Sequence, residues 1–444
     1  MITDTNTDEG LKREIGLGGL TANIINVVIG SGIFVLPAIV SEGLGASGIL
    51  AYLFCGFLMT IIMLCFAEVG SQITLTGGAY AYIETAFGKY FGFLTTNLFI
   101  FGASLMGAAA VANALANTLS YLMPIFKDPF FRAGFFIIIF SGLAIVNVIG
   151  VKQGIAVVKL TTLAKLTPLL ILIIWGSTEI SAENLVWEKV PSSNEIGTVA
   201  IILFFAFQGA ENAFSVSGEV QNPKKTIPRG ILASFSIILL IYIGVQVVSQ
   251  GILGNSFAEY KAAPLAEVAR RIMGSSGVTL IIVGAAVSMF GYLSGDIINM
   301  PRVLFRSAKD RVIPIKPLSL VHPKFATPYI SIITFTALAC FFAITGEFEH
   351  LAMLSSSSVL LIYLGVALAV IKLRLGGKND PSAFRIPGGY VVPILSVITI
   401  LWFLSNLATE KMIGMVIAIV VLSLAYYTIQ YFRSDDPVSA EGSK

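Results

Sequence analysis

The sequence predicts an all-α integral membrane protein with twelve transmembrane helices. Three observations carry this expectation. Hydrophobic residues make up 56% of 444 and charged residues only 12%, at a mean hydropathy of +0.87. A soluble protein holds roughly 25% charge and has no means of hiding so much apolar surface. The apolar residues gather into many runs of bilayer-spanning length, separated by short polar loops. The loop cations are also distributed unequally between the two sides that such a chain would have.

Taken in order, the spans fall near 16–40, 48–70, 91–122, 133–150, 155–176, 195–217, 229–252, 276–305, 327–345, 350–371, 390–408 and 412–432. An even number returns both termini to one side. With that side as the cytoplasm, nineteen Lys and Arg residues lie inside, from Lys12 and Arg13 to Lys444. Only Lys127, Arg132, Lys189, Lys261, Arg270, Arg271 and Lys411 lie outside. That asymmetry predicts cytoplasmic N- and C-termini in an inner or plasma membrane. The acidic stretch with Glu179, Glu183, Glu188 and Glu195 fits the outer face. The chain divides into an N-terminal tail (1–14), a first five-helix unit (15–176), a second (195–373), helices 11 and 12 (388–433) and a C-terminal tail (434–444). The start is polar through Glu14 and has no signal-peptide pattern, so it reads as a retained tail.

Several functions are excluded. A net charge of +3 points to no nucleic acid. Cys55, Cys65 and Cys340 all lie in apolar runs, as core residues do, so no disulfide framework is expected. Only His322 and His350 occur, both at span ends or in loops, so neither a metal centre nor a histidine-based catalytic site is expected. No phosphate-binding loop occurs, no cofactor is implied, and the protein does not read as an enzyme.

The informative feature is a pair of interruptions. No charge occurs from Ile15 through Ser41, yet Gly30-Ser31-Gly32 stands midway along this run. In span six, Gln208-Gly209 and then Glu211 fall at mid-membrane. Spans one and six are five helices apart, and five is odd, so the two halves enter the bilayer from opposite sides. Broken helices at matching positions of inverted repeats mark transporter binding sites. The plainer alternative is that Gly30 and Gly32 only let helices pack closely. At a break, unpaired N–H groups suit a carboxylate and unpaired carbonyls suit an ammonium. Together they grip a zwitterion, the constant part of every α-amino acid, and the bound substrate or water satisfies the exposed backbone.

Other polar residues stand inside spans. Lys165 in span five either releases a proton during transport or tethers helices as a permanent cation. Glu211 is placed to gate, to bind a proton or to cap the adjoining half-helix. Asp296 has three candidate partners: Lys165, a cationic substrate, or water. Glu68 is expected to pair with loop cations, and Ser355–Ser358 is a weaker candidate for cavity lining. The small residues Gly102, Ala103 and Gly107–Ala110 suit close packing.

Five motifs in order give a resemblance: Ile29-Gly-Ser-Gly-Ile-Phe34; Ala67-Glu-Val-Gly70 with Thr76-Gly-Gly-Ala-Tyr-Ala-Tyr82; Gly218-Glu-Val-Gln-Asn-Pro-Lys-Lys-Thr-Ile-Pro228; Arg302-Val-Leu-Phe-Arg-Ser-Ala-Lys-Asp-Arg-Val-Ile-Pro314; and Phe384-Arg-Ile-Pro-Gly-Gly389. The chain resembles the amino acid–polyamine–organocation transporters. That resemblance implies the leucine-transporter fold: two inverted five-helix repeats, with helices 1 and 6 broken, plus two peripheral helices. It also implies a substrate carboxylate at Ser31 and Gly32 and an amino group at carbonyls of Val28, Phe205 and Gln208. Phe205 would lie over the substrate as a gate. The substrate-binding set is then Val28, Ile29, Gly30, Ser31, Gly32, Phe205, Phe207, Gln208 and Gly209. Lys165 matches a lysine that takes the place of sodium in sodium-independent members, and Glu211 matches a gating or proton-sensing position. Asp296 stands roughly where arginine/agmatine exchangers carry a tryptophan, so their aromatic box for a guanidinium is not reproduced. The loop Phe126–Arg132 lacks the cysteine that joins eukaryotic light chains to a heavy subunit. Expected partners are therefore an amino acid, protons and membrane lipid, with the protein a monomer or homodimer. The expected activity is alternating-access transport of neutral L-amino acids by proton symport or exchange. A cationic amino acid or polyamine exchanger is the alternative within the class, and a non-transporting amino acid sensor the alternative outside it.

Overall fold

A computed structural model describes residues 16–73, 79–150, 155–211, 220–376 and 384–434. The expected N-terminal tail, almost all of the C-terminal one and the stretch 212–219 after the second interruption lie outside these residues. Helices α1 (Leu17–Val28) and α2 (Gly32–Leu44) share the first apolar run, and α3 spans Ile49–Gln72. A short α4 (Ala79–Phe87) precedes α5 (Lys89–Asn97), which continues through a π-helical segment, Leu98–Leu105, into α6 (Met106–Ser120). Next come α7 (Pro129–Ile149), α8 (Ile155–Gly176), α9 (Ser193–Leu203), α10 (Pro223–Leu253) and α11 (Pro264–Lys309). The described chain closes with α12 (Tyr329–Thr345), α13 (Phe348–Leu375), α14 (Val391–Ser405) and α15 (Thr409–Ser434).

Among the described residues, seven segments are long and apolar enough to cross a membrane by length and composition, and five shorter apolar helices accompany them. Their surfaces separate core from periphery. Along α3 and α6 most residues are buried, whereas Phe130, Ile138, Leu240 and Ile174 are 71–88% exposed. Apolar side chains so exposed over whole helix faces belong against lipid tails rather than water.

Three details position the site. α9 begins with a reciprocal cap: the Glu195 amide donates to Ser192 Oγ at 3.2 Å and the Ser192 amide to Glu195 Oε2 at 2.7 Å. The helix nevertheless stops at Leu203. The π segment beside α6 is not foreshadowed by the small-residue pattern, and it places Ser104 on α11. α11 is interrupted at Gly274, whose φ of +64 is not helical, so its first turns, from Pro264, form a separate helical stretch and the remainder begins next to the expected start at 276. α4 is also an addition to the expected set.

Glu68 does pair with a cation, but the pair is internal. Arg374, near the end of α13, donates to both Glu68 oxygens at 2.6 and 2.5 Å, and both side chains are 1% exposed. The Ile386 amide donates to Glu68 at 2.7 Å, so the Phe384–Gly389 motif closes over the pair.

Candidate amino acid site

The first interruption is short. After Val28 the backbone of Ile29 turns extended (ψ 91), and α2 starts again at Gly32. Ser31 is 3% exposed and its side chain does not cap α2. The second interruption follows α9. A 3-10 turn covers Phe204–Phe207, Gln208 is extended (ψ 162), and Gly209 adopts φ +103, a conformation that side-chain-bearing residues resist.

The two interruptions touch. A Cβ added to Gly32 would stand 2.6 Å from the Ala206 Cα, and one on Gly209 would stand 3.2 Å from the Val27 carbonyl oxygen. Gly32 is therefore required by the close approach of one unwound backbone to the other, and Gly209 by its φ of +103 together with a tight contact to Val27. Tyr242 of α10, fully buried, ties them further. Its hydroxyl donates to the Ala206 carbonyl at 2.7 Å, with the Val28 carbonyl 3.4 Å away.

Polar side chains hold the rim. Lys165 Nζ donates to the Asn26 carbonyl in the last turn of α1, where a cation meets the negative end of the helix dipole. Gln208 Nε2 donates to Ser356 Oγ at 2.8 Å, while Ser355 Oγ lies 3.3 Å from Gln208 Oε1 and 2.8 Å from the Ala103 carbonyl. Glu211 accepts from the Gly209 amide at 3.1 Å and from the Tyr363 hydroxyl of α13. Asp296 accepts from Ser104, with Oγ 2.8 and 2.9 Å from its two oxygens. Lys165 and Asp296 thus have separate partners, and the alternative in which they pair with each other is not the one observed.

The aromatic residues divide. Phe205 is 9% exposed and stands edge-on to Phe348 at 6.0 Å. Phe207 is wholly buried between Tyr242 and Tyr52, at 5.1 and 6.5 Å, so its ring packs behind the break and only its backbone belongs to it. The structure thus brings together Val28–Gly32, Phe205–Gly209, Lys165 and Glu211. It adds Tyr242, Tyr363, Ser104 and Ser356. Tyr242 and Tyr363 carried a signal in retrospect: a buried tyrosine inside an apolar run needs a hydrogen-bond partner, and here that partner is unwound or polar structure.

The amino acid permease family's sequence pattern matches residues 15–431. The chain belongs to the amino acid permease family. It is 32% identical over 419 residues to the serine/threonine exchanger SteT of Bacillus subtilis, covering 91% of this chain and 93% of that protein. It is 25% identical over 451 residues to the branched-chain amino acid permease BcaP of the same organism, covering 96% and 95%. The human large neutral amino acids transporter small subunit 2 is 26% identical over 395 residues, covering 85% of this permease and 72% of that chain. The permease is a multi-pass membrane protein of amino acid transport, not an enzyme.

Proposed function

We propose that this permease carries neutral L-amino acids across the membrane by alternating access, through exchange or proton symport. Its substrate sits where the two interruptions meet. The observation that carries the proposal is the mutual approach of Gly32 to Ala206 and of Gly209 to Val27. Two helices give up backbone hydrogen bonds at one place deep in an apolar bundle, and a zwitterion supplies the missing partners. In this reading the carboxylate meets Ser31 and Gly32, and the ammonium meets carbonyls from Val28, Phe205 and Gln208. Phe205 covers the bound substrate. The twelve-span, five-plus-five inverted arrangement with both termini inside is part of the same proposal, with α1–α2 and α9 as the paired broken helices.

Neutral side chains are favoured because the nearby carboxylates are engaged. Glu211 serves Tyr363 and the Gly209 amide, and Asp296 serves Ser104, so neither is left to neutralise a cationic substrate. The serine/threonine exchanger among the relatives agrees with a small neutral substrate. Lys165, bonded to the end of α1, is proposed as the residue whose proton or charge couples to movement of that half-helix.

The test is uptake of radiolabelled serine into liposomes holding the purified permease, with and without internal amino acid and with and without a pH gradient. Competition by serine, threonine, alanine and leucine, with arginine ineffective, is expected. Arginine as the strongest competitor would overturn the neutral assignment. Binding without flux under every gradient would mean a sensor.

A further inference from the structure

The segments Lys89–Ser120, Pro264–Lys309 and Thr409–Tyr431 reach a common face of the bundle, and α4 packs beside them. There they line a half-open cavity of about 160 Å³ that lies apart from the proposed substrate site. Its walls carry both signs of charge: Glu84 from α4, Lys89 at the start of α5, and Asp310 and Arg311 just after α11. Tyr80 and Tyr426 add aromatic surface.

The cavity is built rather than incidental. Glu84 lies over Gly92, whose missing side chain leaves it room: an added Cβ there would stand 2.7 Å from Glu84 Oε2. Tyr426 is held between Phe93 and Tyr90, at 5.3 and 5.2 Å. Asp310 is paired with Arg306 at 2.7 Å. Arg311 has φ +58, left-handed backbone that usually falls to glycine after a helix end. The chain keeps a guanidinium there against its backbone preference. This accounts for part of the Arg302–Pro314 motif, which the substrate site leaves unexplained.

Depth identifies the occupant. Three apolar spans terminate at this level, which is where a bilayer's headgroups lie. The α15 wall is itself membrane-facing: none of its most apolar window is buried, and Leu424, Tyr427 and Tyr431 are 63–67% exposed. A molecule seated in the cavity therefore has hydrocarbon directly beside it.

We propose that this cavity binds the headgroup of a zwitterionic phospholipid with a primary ammonium, of the phosphatidylethanolamine type. The phosphate lies between Lys89 and Arg311, and the ammonium lies toward Glu84 and the tyrosine faces. The acyl chains run down the exposed face of α15, so the lipid bridges that helix to α4, α5 and the end of α11.

Native mass spectrometry of the purified full-length permease tests this. The protein is offered phosphatidylethanolamine and phosphatidylcholine of identical acyl chains in equal amounts. Retention of the ethanolamine lipid should exceed that of the choline lipid roughly tenfold, because a trimethylated head donates no hydrogen bond to Glu84. Arg311→Gly, which relieves the backbone, and Glu84→Gln should each lower retention about fivefold or more. Either variant alone suffices if the other does not purify. Equal retention of the two lipids, or unchanged retention in the purified variants, would overturn the proposal. So would displacement by soluble phosphoethanolamine at matched concentration, which would make this a site for a free metabolite.

Discussion

Gly32 shows how much one missing side chain can decide. A methyl group there would press into the Ala206 backbone, which has no rotamer to yield. Overpacking of that kind costs about 1–3 kcal/mol, and here it would push apart the two segments proposed to hold substrate. Gly32→Ala should therefore reach the membrane but lose serine uptake, as read by transport alongside surface labelling. Gly30→Ala, whose Cβ would meet nothing closer than 3.8 Å, should be far milder. Lys165 makes a second residue-scale case. Removing it leaves the Asn26 carbonyl without its cation and takes away the proposed coupling group. In Lys165→Ala the pH profile of uptake should flatten; an unaltered profile would remove Lys165 from coupling. Tyr363→Phe leaves Glu211 with one donor fewer, and slowed uptake with near-normal substrate affinity is expected if that contact works as a gate.

At the scale of elements, the buried Glu68–Arg374 pair joins α3 to α13 and holds the Phe384–Gly389 loop. Breaking a buried pair from one side strands a charge and costs about 3–5 kcal/mol, whereas replacing both partners with apolar residues is often close to neutral. Glu68→Met and Arg374→Met alone should each lower the melting temperature in detergent markedly. The double variant should recover much of that loss. Additive losses would show that the two residues stabilise their helices separately. The π segment Leu98–Leu105 is the other element with a consequence, since it turns Ser104 onto Asp296. Ser104→Ala would leave that carboxylate without its hydroxyl donor, and arginine should then compete for uptake where it did not before.

For the whole molecule, the separation of buried from exposed helices determines which surfaces meet lipid. α3, α6 and the two interruptions form the interior, whereas α7 and α15 present apolar faces outward. The proposed alternating access would require part of this bundle to move against the rest, and the unwound segments, which carry few helical hydrogen bonds, are the hinges that proposal assigns. A permease in liposomes loaded with serine should exchange it for external threonine faster than it releases it into amino-acid-free medium, if exchange is the mode. Equal rates under an imposed pH gradient would favour proton symport.

Composition and spacing alone determined the membrane class, the apolar runs, the two interruptions and the motifs of the family, because each follows from local chain chemistry. Gly30, Ser31, Gly32, Gln208 and Gly209 were legible for the same reason: glycine and polar residues stand out in an apolar run. Only the tertiary structure decided that the interruptions touch, that Tyr242 straddles them, that Phe207 turns away, and that Glu68 is sealed against Arg374. Those partners lie tens to hundreds of positions apart, and contacts across such separations depend on how helices pack, which no local pattern encodes.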